Sequence, residues 1–171
     1  DRAALVADGR NDWIISELGI LYAGGVNVPL SIRLETNEVA FRLKHSGSKL
    51  IFVSKLHASK IEEIRNDLPE LEKVVYIDGK ENPGENDINY TDLMKSGKEL
   101  RKKGTEMYDS IWKNIQPNDV ANISYTSGTT ADPKGIMLSH LNYAANVVQS
   151  NGLLDLHSDW KTLAILPWDH A

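Results

Sequence analysis

The sequence contains no cysteine, and this absence removes several kinds of chemistry from its 171 residues. Without a thiol, the chain forms no disulfide, has no thiolate nucleophile and offers no cysteine ligand to zinc. Long apolar runs are also missing, because no stretch reaches the roughly 18 residues that a membrane-spanning helix needs. Basic charge is not in excess: 19 Lys and Arg face 24 Asp and Glu, and a net charge of −5 argues against a nucleic-acid surface. The negative net charge does not exclude a phosphate-binding site, since such a site needs only local dipoles and one or two cations.

Short apolar runs rich in β-branched residues alternate with helical patterns along the chain. Strands that are separated by helices of about ten to fifteen residues predict βαβ units and a parallel sheet. We therefore predict an α/β fold, with a Rossmann-like parallel sheet flanked by helices. Pro29 in the second predicted strand indicates either that this strand lies at an edge of the sheet or that the proline lies at the end of the strand. Strands are predicted at residues 3–7, 26–30, 49–54, 73–78, 120–126, 135–140 and 162–167, and helices at 12–25, 36–47, 57–69, 90–112 (with a break near Gly104) and 141–152.

The pattern divides the chain into three parts. Residues 1–79 form a βαβ-type subdomain, residues 80–119 a polar and helical insert, and residues 120–171 a strand–loop–strand unit followed by a helix and a strand. The first residues enter a predicted strand at once and show no signal-peptide pattern, which indicates a fragment of a longer protein. The basic cluster from Lys95 to Lys103 is interpreted as a solvated helix face, because it includes Glu99 and no aromatic side chain.

A polar loop with the sequence TSGTTADPKG, residues 126–135, joins two of the predicted strands. It offers three things that a polyphosphate needs: hydroxyl donors, a glycine that lets backbone N–H groups approach, and a cation. These are the hydroxyls of Thr126, Ser127, Thr129 and Thr130, the backbone at Gly128, and the ammonium group of Lys134. Composition alone leaves two interpretations equally open, a phosphate loop and an ordinary polar hairpin turn.

The order of residues in this loop excludes the common phosphotransferase motif. A Walker A loop reads G-x-x-x-x-G-K-[ST] and opens a helix, whereas Lys134 here precedes Gly135 and a strand follows. The G-x-G-x-x-G pattern of dinucleotide-binding folds is absent as well. If the loop holds a phosphate, it therefore does so in another class of enzyme.

The stretch YTSGTTADPKGIMLSHLN, residues 125–142, resembles the phosphate-loop signature of the adenylate-forming acyl-activating enzymes, the AMP-binding superfamily. This superfamily includes acyl-CoA synthetases, firefly luciferase and peptide-synthetase adenylation domains. Residues 1–30 and 34–54 resemble the early part of these enzymes, and LPWDHA at residues 166–171 resembles a motif beside their acyl pocket. Within the superfamily the chain is most similar to long-chain fatty-acid–CoA ligases. It departs from the signature at Ala131, where the family usually has glycine, and this puts the loop geometry in question.

The resemblance implies roles for individual residues. Thr126, Ser127, Gly128, Thr129 and Thr130 would hold the β- and γ-phosphates of ATP, and Lys134 would neutralise or close the loop over pyrophosphate. His170 would shape the carboxylate end of the acyl-adenylate site, although a packing role for this histidine stays open. Trp168 would line the same cavity or pack in the core. His140 is expected to have a structural role, and no metal ligands are assigned.

The resemblance also implies substrates and cofactors. The full-length protein would use ATP, Mg²⁺ and coenzyme A to activate a carboxylic acid, expected to be a long-chain fatty acid, through acyl-AMP with release of pyrophosphate. We expect a cytoplasmic location, in which the full-length protein could also contact a membrane surface peripherally. We expect no nucleic-acid partner. The residues that bind adenine, ribose and magnesium in the family lie downstream, so the 171 residues alone are expected to be inactive. The alternative is a non-catalytic α/β module that binds a nucleotide or a partner.

Overall fold

A computed structural model describes residues 1–126, 133–153, 157–161 and 168. In this part of the chain seven strands form one sheet in the order β5-β4-β3-β1-β2-β6-β7. The strands are β1 (Arg2–Val6), β2 (Val26–Pro29), β3 (Leu50–Val53), β4 (Lys73–Tyr76), β5 (Asp87–Asn89), β6 (Val120–Tyr125) and β7 (Gly135–Ser139). The helices are α1 (Asn11–Tyr22), α2 (Thr36–Ser46), α3 (Ala58–Ile64), α4 (Tyr90–Lys103), α5 (Glu106–Trp112) and α6 (His140–Leu153).

The order β2-β1-β3-β4-β5 is the doubly wound order of flavodoxin-like sheets, in which the chain leaves the first strand in both directions. Alternate residues of β1 point to opposite faces, so each face has its own core. Ala4 and Val6 belong to the core that α2 and α3 cover, and Ala3 and Leu5 belong to the core that α1 and α4 cover. The result is a three-layer arrangement with helices on both sides of the sheet.

The predicted α/β fold is confirmed, with one modification to the sheet. Strands β1 to β6 pair in parallel, but β7 pairs antiparallel with β6, so the sheet is mixed rather than wholly parallel. Pro29 is the last residue of β2, which lies inside the sheet, so the proline marks a strand end and not an edge strand. The predicted strand at 162–167 lies outside the described residues, and the three-part division of the chain stays a prediction.

Two elements differ from the sequence-based prediction. The polar segment 79–89 contains β5, which pairs with β4 although it has only three residues and no apolar alternation. The helix predicted at 57–69 is only seven residues long, and 3₁₀ turns at Lys55–His57 and Arg65–Asp67 flank it. No helix among the described ranges is both long and apolar enough to cross a bilayer.

Helix α2 has a well-defined end that is important for the site described below. Gly47 ends it in the left-handed conformation, at φ 61°, and its N–H donates to the carbonyl oxygens of Leu43 and Lys44. A Cβ atom at this position would lie 2.8 Å from Nη2 of Arg2 and 2.9 Å from Oε2 of Glu70. Glycine is favoured here by the left-handed conformation, whereas these two atoms end flexible side chains that can move aside. The last turn of α2 is held against the sheet by this cap and by buried Leu43.

The short strand β5 is held by an ionic cluster around Asp87, whose side chain is only 3% exposed. Its carboxylate accepts hydrogen bonds from Arg65, from Nζ of Lys80 at 2.9 Å and from the N–H of Gly84 at 3.0 Å. Burial alone would raise the pKa of Asp87, but the bonds from Arg65, Gly84 and Lys80 outweigh it and lower the pKa to about 2. The charged carboxylate is therefore the form that the fold stabilises.

This cluster predicts a specific loss of stability in acid. A depressed carboxyl pKa contributes stability above the unfolded-state pKa of about 4, and the contribution is lost as the pH falls from about 5 to about 2. We expect D87N to be less stable than wild type at neutral pH and the difference to shrink in that acid range, as measured by urea unfolding. The control is E63Q, on an exposed position of α3, which should show no such convergence. A D87N difference that stays constant down to pH 2 would contradict the assignment.

Candidate phosphate-binding site

The loop singled out in the sequence lies between β6 and β7, and its two ends are held together. Tyr125, the last residue of β6, is paired in antiparallel register with Gly135, the first residue of β7. One step further, the N–H of Thr126 donates to the carbonyl oxygen of Lys134 over 3.1 Å. The side chains of both residues are exposed. The predicted strand–loop–strand is thus confirmed at its ends, with one hydroxyl and one ammonium group at neighbouring positions.

The remaining residues assigned to the site lie outside the described ranges. These are Ser127, Gly128, Thr129 and Thr130, the divergent Ala131, and His170. Their roles stay predictions, as do those of Thr126 and Lys134 in binding phosphate.

Gly135 is necessary for the close approach of the two strands. A Cβ atom at this position would lie 2.9 Å from Cγ2 of Ile123 and 3.4 Å from Cζ of the Tyr125 ring. Contacts this short would push β7 away from β6, and with it the residue that carries the loop's cation. Gly135 therefore sets the spacing at the base of the loop.

Tyr125 connects the loop to α2, a contact that the sequence did not predict. Its hydroxyl lies 2.8 Å from Nδ1 of His45 and 3.4 Å from the carbonyl oxygen of Arg42. The guanidinium of Arg42 lies over the tyrosine ring, with Cζ 5.7 Å from the ring centroid. Burial raises the pKa of Tyr125, so the phenol keeps its proton and can donate a hydrogen bond.

A second group of polar residues supports β6 from the side of α1. Asn122 is 1% exposed and lies in register with Asn27 of β2, which is completely buried. Asn27 donates from Nδ2 to Oε1 of Glu17 at 2.9 Å, and Ser124 donates from Oγ to Oδ1 of Asn122 at 2.7 Å. Burial raises the pKa of Glu17 while the bond from Asn27 lowers it, and the net direction is upward. Two asparagines in otherwise apolar strands are the sequence signal that could have revealed this group.

Trp168 of the LPWDHA stretch is packed at the carboxyl end of β1. Its ring meets Trp13 of α1 edge to face, with centroids 6.1 Å apart and an interplanar angle of 87°. It also lies 3.3 Å from the position that a Cβ atom would take at Gly9. The structure therefore brings this tryptophan into the packing of the α1 side of the sheet, which is one of the two roles considered for it.

The described end of the β6–β7 hairpin carries groups that suit an anion. A hydroxyl and an ammonium group are donors, which match phosphate oxygens. No group of three or more His, Cys, Asp or Glu side chains that could hold a metal ion occurs in the described ranges. The described residues thus fit the phosphates of ATP, and they supply no ligand set for the Mg²⁺ that usually neutralises charge in such transfers.

Comparison with known proteins identifies the class to which this loop belongs. A family model described as AMP-binding enzyme matches residues 1–171, the whole chain. The chain belongs to the AMP-binding enzyme family. The resemblance inferred from the phosphate-loop signature is thereby confirmed.

The chain is moderately similar in sequence to several curated members of this family. The chain is 32% identical to 4-coumarate–CoA ligase 1 of Arabidopsis thaliana, over 99% of its own length and 30% of the relative. It is 29% identical to 4-hydroxybutyrate–CoA ligase 2 of Metallosphaera sedula, over its full length and 31% of the relative. It thus spans about a third of the length of these curated relatives.

Solved structures of the family share the fold. The N-terminal domain of FACL13 from Mycobacterium tuberculosis, solved with an inhibitor bound, superposes with a TM-score of 0.76 at 27% identity, over 99% of this chain and 39% of that one. The o-succinylbenzoate CoA synthetase of Bacillus subtilis, in complex with AMP, gives a TM-score of 0.67 at 22% identity, over 99% and 38%. Because its sequence identity is only 22%, the similarity to the Bacillus subtilis enzyme supports the fold and nothing further.

Proposed function

We propose that this AMP-binding family member is part of an acid–thiol ligase that uses ATP to activate a carboxylic acid. A carboxylate oxygen of the acid attacks the α-phosphorus of ATP, the bond from that phosphorus to the bridging oxygen breaks, and pyrophosphate leaves. The thiolate of coenzyme A then attacks the acyl carbon, and AMP leaves. The observation that carries this proposal is the β6–β7 hairpin, which ends in an exposed hydroxyl and an exposed lysine at the two ends of the signature loop.

In this proposal the chain's own residues act on the pyrophosphate half of ATP. Thr126 donates its hydroxyl to a phosphate oxygen, and Lys134 places a positive charge where negative charge builds up on the leaving group. Gly135 and the Thr126–Lys134 backbone bond fix the spacing of the two backbone segments that carry these groups. The chemistry is therefore one of positioning and charge neutralisation, with no covalent intermediate on the protein. The predicted roles of Ser127 to Thr130 and of His170 belong to the same proposal.

For the acid, we propose a long-chain fatty acid. The long-chain-fatty-acid–[acyl-carrier-protein] ligase AEE15 of Arabidopsis thaliana, 29% identical over the full chain and 25% of its own length, supports this choice. The names of the other relatives, which include 4-coumarate and 4-hydroxybutyrate ligases, make aryl acids and short hydroxy acids the competing substrates. Coenzyme A is the proposed acceptor, and an acyl-carrier protein is its competitor.

An acid series assayed for pyrophosphate release with the full-length protein tests the proposal. We expect hexadecanoate to give the highest kcat/KM, at least about tenfold above 4-hydroxybutyrate, because each buried CH₂ group contributes about 0.8 kcal/mol. A maximum with 4-coumarate would contradict the substrate but keep the reaction class. ADP as the product with every acid would contradict the reaction class itself. Nucleotide binding without any turnover would favour the non-catalytic binding module.

A further inference from the structure

His45 of α2 contacts the strand that leads into the signature loop. Its Nδ1 atom lies 2.8 Å from the hydroxyl oxygen of Tyr125, although the two residues are 80 positions apart. The two rings meet edge to face, with centroids 5.7 Å apart. Phe41 stacks on His45, at 5.6 Å and an interplanar angle of 17°. The imidazole is therefore oriented by an aromatic ring on α2 while it contacts Tyr125.

We infer that His45 is a positioning residue of the phosphate site, which fixes the amino-terminal end of the loop by holding the Tyr125 side chain. The inference rests on the proposed function, because it assumes that the loop binds the phosphates of ATP.

The support on the α2 side is rigid. Val39 and Leu43 of this helix are 1% and 2% exposed and belong to the core beneath the sheet. The αL cap at Gly47 ends the helix two residues after His45. A hydrogen bond from such an element restricts its partner more than a bond from a loop would, since the helix cannot follow the partner's motion.

The contact is transmitted to the loop through a short path. Tyr125 pairs with Gly135 through the backbone, and its ring is one of the groups that a Cβ atom at Gly135 would meet. The next backbone bond joins Thr126 to Lys134. Rotation of the Tyr125 ring would thus disturb both the strand spacing and the two residues proposed to contact phosphate. His45 acts through Tyr125 and is not a catalytic residue.

The hydrogen-bond roles are set by the chemistry of the two groups. When Nδ1 of His45 carries no proton, the phenol donates to it. Loss of the imidazole leaves other partners for the Tyr125 hydroxyl, namely the carbonyl oxygen of Arg42 at 3.4 Å and the hydroxyl of Ser46. We therefore expect the phenol to shift toward these remaining partners in a variant without His45, which changes the position of Tyr125 but keeps it in the fold.

The test compares H45A, Y125F and the double variant in the full-length protein. A single neutral hydrogen bond contributes about 0.5–1.5 kcal/mol, so each single variant should raise the KM for ATP by about 2- to 13-fold, with kcat for the acid less affected. Because both changes remove the same bond, the double variant should show no more than the larger single effect. H45N, whose Oδ1 can take the place of Nδ1, should recover part of the wild-type KM. K44A, an exposed neighbour on α2, is the matched control and should behave as wild type.

Two outcomes would overturn the inference. Wild-type KM values for ATP in both H45A and Y125F would show that the contact does not affect the site. Fully additive effects in the double variant would show that the two residues act separately. Failure of the proposed function is distinguishable, because wild type would then show no acid-dependent pyrophosphate exchange. If the proposed function fails in this way, the inference is tested by measuring the Kd for ATP of the same variants by calorimetry. An equal Kd in wild type, H45A and Y125F would refute it.

Discussion

Replacing Lys134 with alanine in the full-length protein is expected to lower the rate of pyrophosphate formation by about 10²- to 10³-fold, the loss seen when one group that stabilises developing charge is removed. The reason is the location of Lys134. Its side chain is exposed at the base of the loop, and its carbonyl oxygen accepts a hydrogen bond from Thr126 across the hairpin. The substitution removes the charge and leaves that backbone bond in place. The measurement is acid-dependent pyrophosphate release at saturating acid.

Two further variants show whether the effect is specific to the charge at this position. K134R keeps the charge but changes its shape and reach, and we expect it to recover only part of the rate because arginine and lysine are not interchangeable at such sites. K95A removes an exposed lysine from α4, outside the proposed site, and should leave the rate unchanged. Wild-type pyrophosphate formation by K134A would refute the assignment of Lys134.

Replacing Leu5 with alanine is expected to destabilise the fold by about 2–5 kcal/mol, the range for deleting a fully buried leucine side chain. Leu5 is completely buried in β1, between β2 and β3, on the face of the sheet that α1 covers. The missing side chain would leave a cavity between the sheet and α1, which can close only if the helix moves toward the strands. The measurement is the free energy of unfolding from urea denaturation.

The matched control for this stability prediction is L56A. Leu56 follows β3 and is 75% exposed, so its replacement should change the free energy of unfolding by no more than about 0.5 kcal/mol. Equal losses in L5A and L56A would mean that Leu5 is not buried in the core beneath α1. A difference of at least about 2 kcal/mol between the two variants supports the burial of Leu5 in the core on this face of the sheet.

The strands and the caps were predictable because their signals are local. The helix predicted at 36–47 does end at Gly47, which has a positive φ. The three-residue strand β5 was missed because Asp87, Ile88 and Asn89 show no alternation, and its place in the sheet depends on β4 and on the charges around Asp87. Sheet order was not predictable either, since alternation reveals which face of a strand is buried but not which strand lies beside it.

The candidate site was predictable only in part, for the same reason. The loop and its flanking strands could be inferred from hydroxyls, glycine and lysine within ten residues. The contacts of Tyr125 with His45, and of Asn122 with Asn27, join residues that are far apart in sequence, and no local pattern encodes them. A buried asparagine in an apolar strand indicates that a polar partner exists, but it does not identify the partner.

The pairing of β2 with β6 has a consequence for how the protein is synthesised. Asn27 and Asn122 are in register, so the two strands close a loop of about 95 residues. Strands β1 to β4 occupy the first 76 residues and can pair as they leave the ribosome, well before β6 has been translated. The strand that leads into the signature loop is therefore added to β2 later than β1, β3 and β4 pair with one another.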